Sequence, residues 1–197
     1  MAPKNSFTDK HIPIPGILWM CGATIFFSLS LTLVKYIQDQ GLNAFQAVLF
    51  RQVLGVALVL PVVIAGTKLR ELKTTVPLKH GTRAVFGFLG MCTGYFALNL
   101  INIADAVALQ FTLPIFTMFC AIWLLSEKLY SHRLIATLVG FLGVLIIVRP
   151  GFSELNLGIF LAIASAATHA VSDTYARYLA RFDKLKVIML YNFLFTI

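Results

Sequence analysis

Apolar residues in this chain come in blocks rather than in stripes. Seven runs can be marked, at about 13–35, 44–66, 82–101, 104–126, 133–149, 156–178 and 186–197. They lack the strict alternation of a half-buried strand, and most are apolar around the whole helical circumference. A bilayer is crossed by about 20 apolar residues in a helix. Backbone groups in hydrocarbon must be bonded within their own segment, so each run predicts a helix. The runs are also too long for the strands of a membrane barrel. The expected fold class is an all-α membrane protein, a polytopic bundle of transmembrane helices.

Composition sharpens this picture. Apolar residues make up 59% of the 197 and charged residues 12%, about half the soluble average. Mean hydropathy is +0.86. These values exclude a disordered chain and an ordinary soluble domain, and no polar stretch is long enough for a large extramembrane domain. The first run reads as a true span rather than a cleavable signal. Cys21, Cys92 and Cys120 all lie inside apolar runs without metal-ligand spacing, which makes them small packing residues.

The net charge of +8 would suggest nucleic acid as the partner of a soluble chain, but here it sets orientation. With the N-terminus in the cytoplasm, the inner side collects Lys4 and Lys10, then Lys68, Arg70, Lys73, Lys79 and Arg83. It also collects Lys128 and Arg133, then Arg177, Arg181, Lys184 and Lys186, which is thirteen of the sixteen basic residues. Lys35, Arg51 and Arg149 fall outside. The expected partners are therefore a lipid bilayer and a small-molecule substrate, with no nucleic acid and no cofactor; a homodimer stays open.

An internal repeat is visible at an offset of 142. GILWMCGATIFFSLSLTLVKY (16–36) aligns with GIFLAIASAATHAVSDTYARY (158–178), matching Gly16 to Gly158, Ser30 to Ser172, Thr32 to Thr174 and Tyr36 to Tyr178. Five helices separate the copies, an odd number, so the second copy enters the membrane inverted, a common plan of secondary transporters. The expected organisation is a cytoplasmic tail at 1–12, a first five-helix repeat at 13–151 and the start of a second at 156–197. The seventh run spans about half the hydrocarbon thickness. Both features predict a fragment of a longer chain, and spans one to seven alone are expected not to transport.

Polar residues inside these spans are the functional candidates. Pro114 interrupts the fourth span and leaves the Gln110 carbonyl without its helical donor, beside Gln110, Thr112 and Thr117. A broken helix of this kind is either a ligand contact or a kink satisfied by a neighbouring helix. Tyr95 and Asn99 lie four apart on the third span, either bonding between helices or lining a cavity. Gly87, Gly90 and Gly94 beside them include a GxxxG spacing that lets a second backbone come close. His169, Asp173 and Arg177 follow at i, i+4 and i+8 on the sixth span. An intramembrane charge costs roughly 2.5–3.5 kcal/mol on insertion scales. Asp173 is thus either a proton-coupling or substrate-charge site, or an interfacial partner of Arg177. If Asp173 couples protons, Asp173→Asn abolishes gradient-driven uptake and leaves exchange intact; equal loss of both indicates a binding or folding role. Arg51 either snorkels outward or turns inward to meet Asp105 or a substrate anion. Glu127 and Lys128 close the fourth span.

Enzyme signatures are absent: there is no GxSxG, no HExxH, no P-loop and no catalytic pair of carboxylates. The block from Ala104 to Gly151 carries the pattern AxAxxL, then LPxF, a glutamate closing the span, and GFxGVLIIxRPG. With the Phe50-Arg51 pair and the five-plus-five layout, it resembles the EamA family of the drug/metabolite transporter superfamily. Within that family the chain is most similar to S-adenosylmethionine uptake carriers and their relatives. The resemblance implies ten helices in the complete protein, a multi-pass location in the bacterial inner membrane, and a central cavity lined by both repeats. It implies a carrier of small organic solutes working by alternating access. Tyr95, Asn99, Gln110, Thr112, Pro114, Thr117, His169 and Asp173 are the expected substrate-binding residues. The alternatives are a seven-helix receptor or sensor without transport, and a membrane-embedded transferase, for which no acidic or histidine metal cluster is present.

Overall fold

The computed structural model describes residues 14–66, 74, 76–126, 131–148 and 156–196. Lys4, Lys10, Lys68, Arg70, Lys73, Glu127, Lys128, Arg149, Pro150 and Gly151 lie outside the described residues, as does the side chain of Arg133. The described residues form eight helices and no strand: α1 (Ile14–Asp39), α2 (Ala44–Gly66), α3 (Pro77–Leu100), α4 (Ile103–Gln110), α5 (Leu113–Leu125), α6 (Ser131–Val148), α7 (Leu157–Leu179) and α8 (Leu185–Thr196). The chain is a polytopic helical membrane protein. α1, α2, the α4–α5 pair and α7 are each long and apolar enough to cross a bilayer. Large apolar side chains such as Leu18, Trp19, Phe26, Leu58, Trp123 and Ile146 stand exposed on the outside of the bundle, as lipid-facing residues do.

Two boundaries differ instructively from the hydropathy pattern. α3 begins at Pro77, five residues before the apolar run expected at 82, because proline is preorganised for the first helical turn. Lys79, His80 and Arg83 occupy that polar opening, which hides it from a hydropathy reading. The fourth span is two helices. α4 ends at Gln110, where the amides of Phe111 and Thr112 close tight turns onto Ala108 and Leu109. α5 restarts with Pro114 in its first turn. The proline that removes one helical hydrogen bond also starts the next helix.

The closest seam in the bundle lies between α3 and α7, which run antiparallel. Gly87, Gly90 and Gly94 give α3 a flat side, on which Ser172, His169 and Ser165 of α7 rest in that order. A Cβ added at Gly90 would come within 2.8 Å of the His169 ring, and one at Gly94 within 2.8 Å of Ser165 Oγ. Two serines two turns apart on α7 stitch the seam. Ser165 Oγ donates to the Gly90 carbonyl (2.7 Å) and Ser172 Oγ to the Arg83 carbonyl (3.0 Å). α7 opens with an Asn156 cap whose side chain accepts from the Ile159 amide (3.2 Å). At the other end of the seam the α7–α8 turn is clasped to the start of α3. Asp183 Oδ2 lies 2.8 Å from His80 Nε2 and accepts from Thr74 Oγ1 (2.6 Å). His80 is buried, with its ring 4.8 Å from that of Tyr191. Arg83 adds a bond from Nη1 to the Ile188 carbonyl (3.3 Å).

The apolar core sits around the opposite end of α3. Ala44, Ala47 and Val48 of α2, Met91, Tyr95, Leu98 and Ile101 beside α3, Ala106 and Leu109 of α4, and Ile159 and Ala162 of α7 meet there. α1 reaches this core from one end only. Lys35 Nζ donates to the Leu98 carbonyl (2.7 Å) and Gln38 Nε2 to the Tyr95 carbonyl (3.2 Å), while Asp39 pairs with Lys35 at 3.2 Å.

Gly90→Ala should therefore lower stability, because the new methyl meets an imidazole in a packed seam; the expected cost is about 1–3 kcal/mol. Gly22→Ala, where nothing lies within 4 Å of the added carbon, should be neutral or mildly stabilising. Thermal unfolding of the two variants in detergent compares them directly.

Candidate functional site

Where α4 breaks away from α5, the bundle does not close on itself. A cavity of about 220 Å³ lies there, between α1, α2, α3, α4 and α7. Tyr95, Gln110, His169 and Asp173, expected as site residues, all line it. Asn99, Thr112, Pro114 and Thr117, expected with them, are not in its wall. Asn99 is exposed on another face of α3, and its neighbour Leu98 lines the cavity. Thr112 and Thr117 turn their hydroxyls back to carbonyls of their own segment, Leu109 (2.6 Å) and Leu113 (2.8 Å), the habit of threonine in apolar helices. Pro114 acts through the backbone: it ends α4 so that the Gln110 side chain and Leu113 face the space.

Gln110 is the first link of a relay across three helices. Its Nε2 donates to Ser165 Oγ (3.0 Å), and that hydroxyl donates to the Gly90 carbonyl (2.7 Å). α4, α7 and α3 are thus tied together at the cavity wall by groups that satisfy one another. His169 lies one turn from Ser165, packed on Gly90, and Asp173 one turn further along the same face. Asp173, exposed one turn before Arg177 on α7, lines the cavity.

Arg51 is exposed on α2 and also borders the cavity. Its Nη1 lies 2.8 Å from Met91 Sδ on α3. Ser165 was also readable as a site residue, since it stands four before His169 on the same face. Phe27, Ser30 and Leu31 of α1 complete the wall; nothing in their local sequence marks them, because they face the cavity only through the way α1 leans on α3. Among the described residues no cluster of three or more potential metal ligands occurs.

The cavity has a mainly apolar wall with charged and polar side chains set into it, and it lies beside a discontinuous helix. The chain belongs to the EamA-like transporter family, whose model matches residues 14–149. The S-adenosylmethionine uptake transporter of Rickettsia prowazekii is 28% identical over 158 residues, covering 80% of this chain and 53% of that protein. The riboflavin transporter of Brucella anthropi is 34% identical over 143 residues (72% of this chain, 50% of that protein). The riboflavin transporter of Vibrio cholerae is 28% identical over 185 residues (92% and 62%). The chain spans about half the length of the first of these curated relatives. The family and the relatives are named for transport, not for an enzymatic reaction. No solved structure matches.

Removing the middle of the relay should loosen all three helices. Ser165→Ala leaves the Gln110 amide without its partner and removes one of the bonds to the Gly90 carbonyl, which keeps that from Thr93, an expected loss of about 1–3 kcal/mol. Gln110→Ala should cost less, because Ser165 keeps its bond to Gly90. A double-mutant cycle on unfolding in detergent should show the two sites coupled.

Proposed function

We propose that the whole protein is a secondary transporter of a small organic metabolite, working by alternating access in the bacterial inner membrane. The observation that carries this reading is the cavity, where charged groups of α2 and α7 line a space inside an otherwise apolar bundle. Intramembrane charges held around a space rather than sealed away mark a solute path.

Three further features support it. The fourth span is discontinuous next to the cavity, as in many carriers. The excess of Lys and Arg in alternate loops favours a cytoplasmic N-terminus, which puts the His80–Asp183 clasp on the cytoplasmic side and Arg51 toward the outside. The repeat at an offset of 142 makes residues 13–151 one five-helix unit and 156–197 the start of an inverted second. The cavity would then lie at the meeting of two repeats. The solute is a metabolite in this reading because relatives are named for S-adenosylmethionine and riboflavin uptake. The ligands proposed at the wall are Tyr95, Gln110, His169 and Asp173, joined by Arg51. Asn99, Thr112, Pro114 and Thr117 shape the third and fourth spans around them.

Full-length protein reconstituted in vesicles, assayed with radiolabelled S-adenosylmethionine and riboflavin, tests the reading. Accumulation of one of them above protein-free vesicles, with acceleration by unlabelled solute on the far side, is the expected result. Saturable binding without any movement across the bilayer would instead support a receptor or sensor.

A further inference from the structure

We propose that the Thr74–Asp183–His80 clasp is a latch between the two repeats. While it is made, the end of the bundle that carries it stays shut. Its release lets the α7–α8 hairpin turn away from α3 and opens the cavity to that side of the membrane. This rests on the carrier reading for the use of the latch in transport, and on the geometry of the clasp for the latch itself.

The clasp joins two rigid pieces. On one side Thr74 Oγ1 accepts from the Val76 amide (3.1 Å), just ahead of the proline that starts α3, and His80 lies in the first turn of that helix. On the other side the Asp183 amide donates to the Leu179 carbonyl (2.9 Å), so its carboxylate is carried on the end of α7. α8 starts two residues later, at Leu185. Asp183 Oδ2 accepts from Thr74 Oγ1 (2.6 Å) and lies 2.8 Å from His80 Nε2. The start of α3 cannot part from the α7–α8 turn without breaking both contacts.

The clasp is also the last of a row of ties that leads away from the cavity. Gly90, in the cavity wall, stands about 15 Å along α3 from His80. Between them Ser172 Oγ donates to the Arg83 carbonyl and Arg83 Nη1 to the Ile188 carbonyl. These ties differ in what breaking them costs. A serine hydroxyl pulled from a carbonyl in the apolar interior finds no other partner. A carboxylate and an imidazole at the end of the bundle find water. The Asp183 side chain is 9% exposed and already reaches the surface, while that of His80 is fully covered. Stability alone does not account for such a pair, because apolar residues of similar shape commonly hold a buried joint as well. His80 Nδ1 and Arg83 Nε, one turn apart on α3, are buried without a partner among the described residues. Parting α3 from the α7–α8 turn hydrates those atoms too. The Gln110–Ser165–Gly90 relay gains nothing of the kind, because its groups already satisfy one another. The seam is thus built to part at the clasp and to hold at the cavity.

The test uses full-length protein in oriented vesicles, with Ser30→Cys in the cavity wall as a reporter and every other cysteine replaced by alanine. A membrane-impermeant methanethiosulfonate is applied to one face at a time. Asp183→Ala and Thr74→Val should each raise the rate of modification from the face that carries the clasp, cytoplasmic on the orientation above. The expected rise is about three- to tenfold, the shift that loss of one charge-assisted hydrogen bond gives a two-state equilibrium. The rate from the opposite face should not rise. Thr74→Ser, which keeps the hydroxyl, should behave as the parent. Unfolding temperatures in detergent are measured alongside.

Unchanged modification from the clasp's face overturns the proposal, and with a lowered unfolding temperature it makes the clasp a structural brace. A rise from both faces, which reports a loosened bundle, overturns it as well, as does a rise from the opposite face alone. If Asp183→Ala does not fold, Thr74→Val decides, because it keeps the His80–Asp183 pair. A one-sided rise in a protein that moves no solute would sink the carrier reading and leave the latch. Solute movement with unchanged modification would sink the latch and leave the carrier reading.

Discussion

Two apolar helices in hydrocarbon gain little by touching, because lipid tails offer each of them the same surroundings. A membrane bundle must therefore be held by contacts that lipid cannot make. Here that constraint is met along the α3–α7 seam, where three glycines on one helix face two serines and a histidine on the other. The glycines let the backbones approach, and the approach puts serine hydroxyls within reach of α3 carbonyls that already serve the helix. These are second bonds on existing acceptors, so both serine donors are satisfied within the seam. The Asp183 clasp then ties the turn after α7 to the start of α3.

The cavity follows from this seam and from one proline. Pro114 restarts the span as α5, which continues along α7, and the Gln110 relay ties the end of α4 to Ser165. Gly94 makes room for the Ser165 hydroxyl that reaches the Gly90 carbonyl, and Gly90 itself seats the His169 ring. Site and scaffold thus share atoms: Gly90 braces the seam and positions the histidine, and Ser165 is both a stitch and a wall residue. A change at either would act on stability and on ligand geometry together.

Much of this was legible in the chain itself. The blocks of apolar residues mark the spans because length and uniform hydropathy are local properties. The break at Pro114 follows from covalent chemistry, and the close packing of Gly87, Gly90 and Gly94 follows from their lack of a side chain. Tyr95, Gln110, His169 and Asp173 stood out as polar atoms in apolar spans, and the cavity gathers all four. Less visible were properties that depend on a neighbour. Asn99 is as polar as Tyr95 and falls on the same helix, yet it is exposed while its neighbour Leu98 lines the cavity. Arg51 can point outward or inward on its own helix with equal ease, and the position of Met91 on α3 accompanies the inward choice. The polar first turns of α3 escaped a hydropathy reading because their burial is against α7 and α8 rather than in lipid.

α1 differs from every other wall of the cavity in how it is fastened. No residue of its most apolar stretch is buried, and its polar bonds to α3 come from Lys35 and Gln38, close to one end. Mechanically this is a beam clamped at a fulcrum. The stretch from Lys35 back to Gly16 is about 28 Å of helix, so a tilt of about 10° swings the free end by about 5 Å. Phe27, Ser30 and Leu31 lie within about 12 Å of the clamp and shift by only about 1–2 Å. Any tilt of α1 about this clamp would thus move its far end most and the residues that line the cavity least.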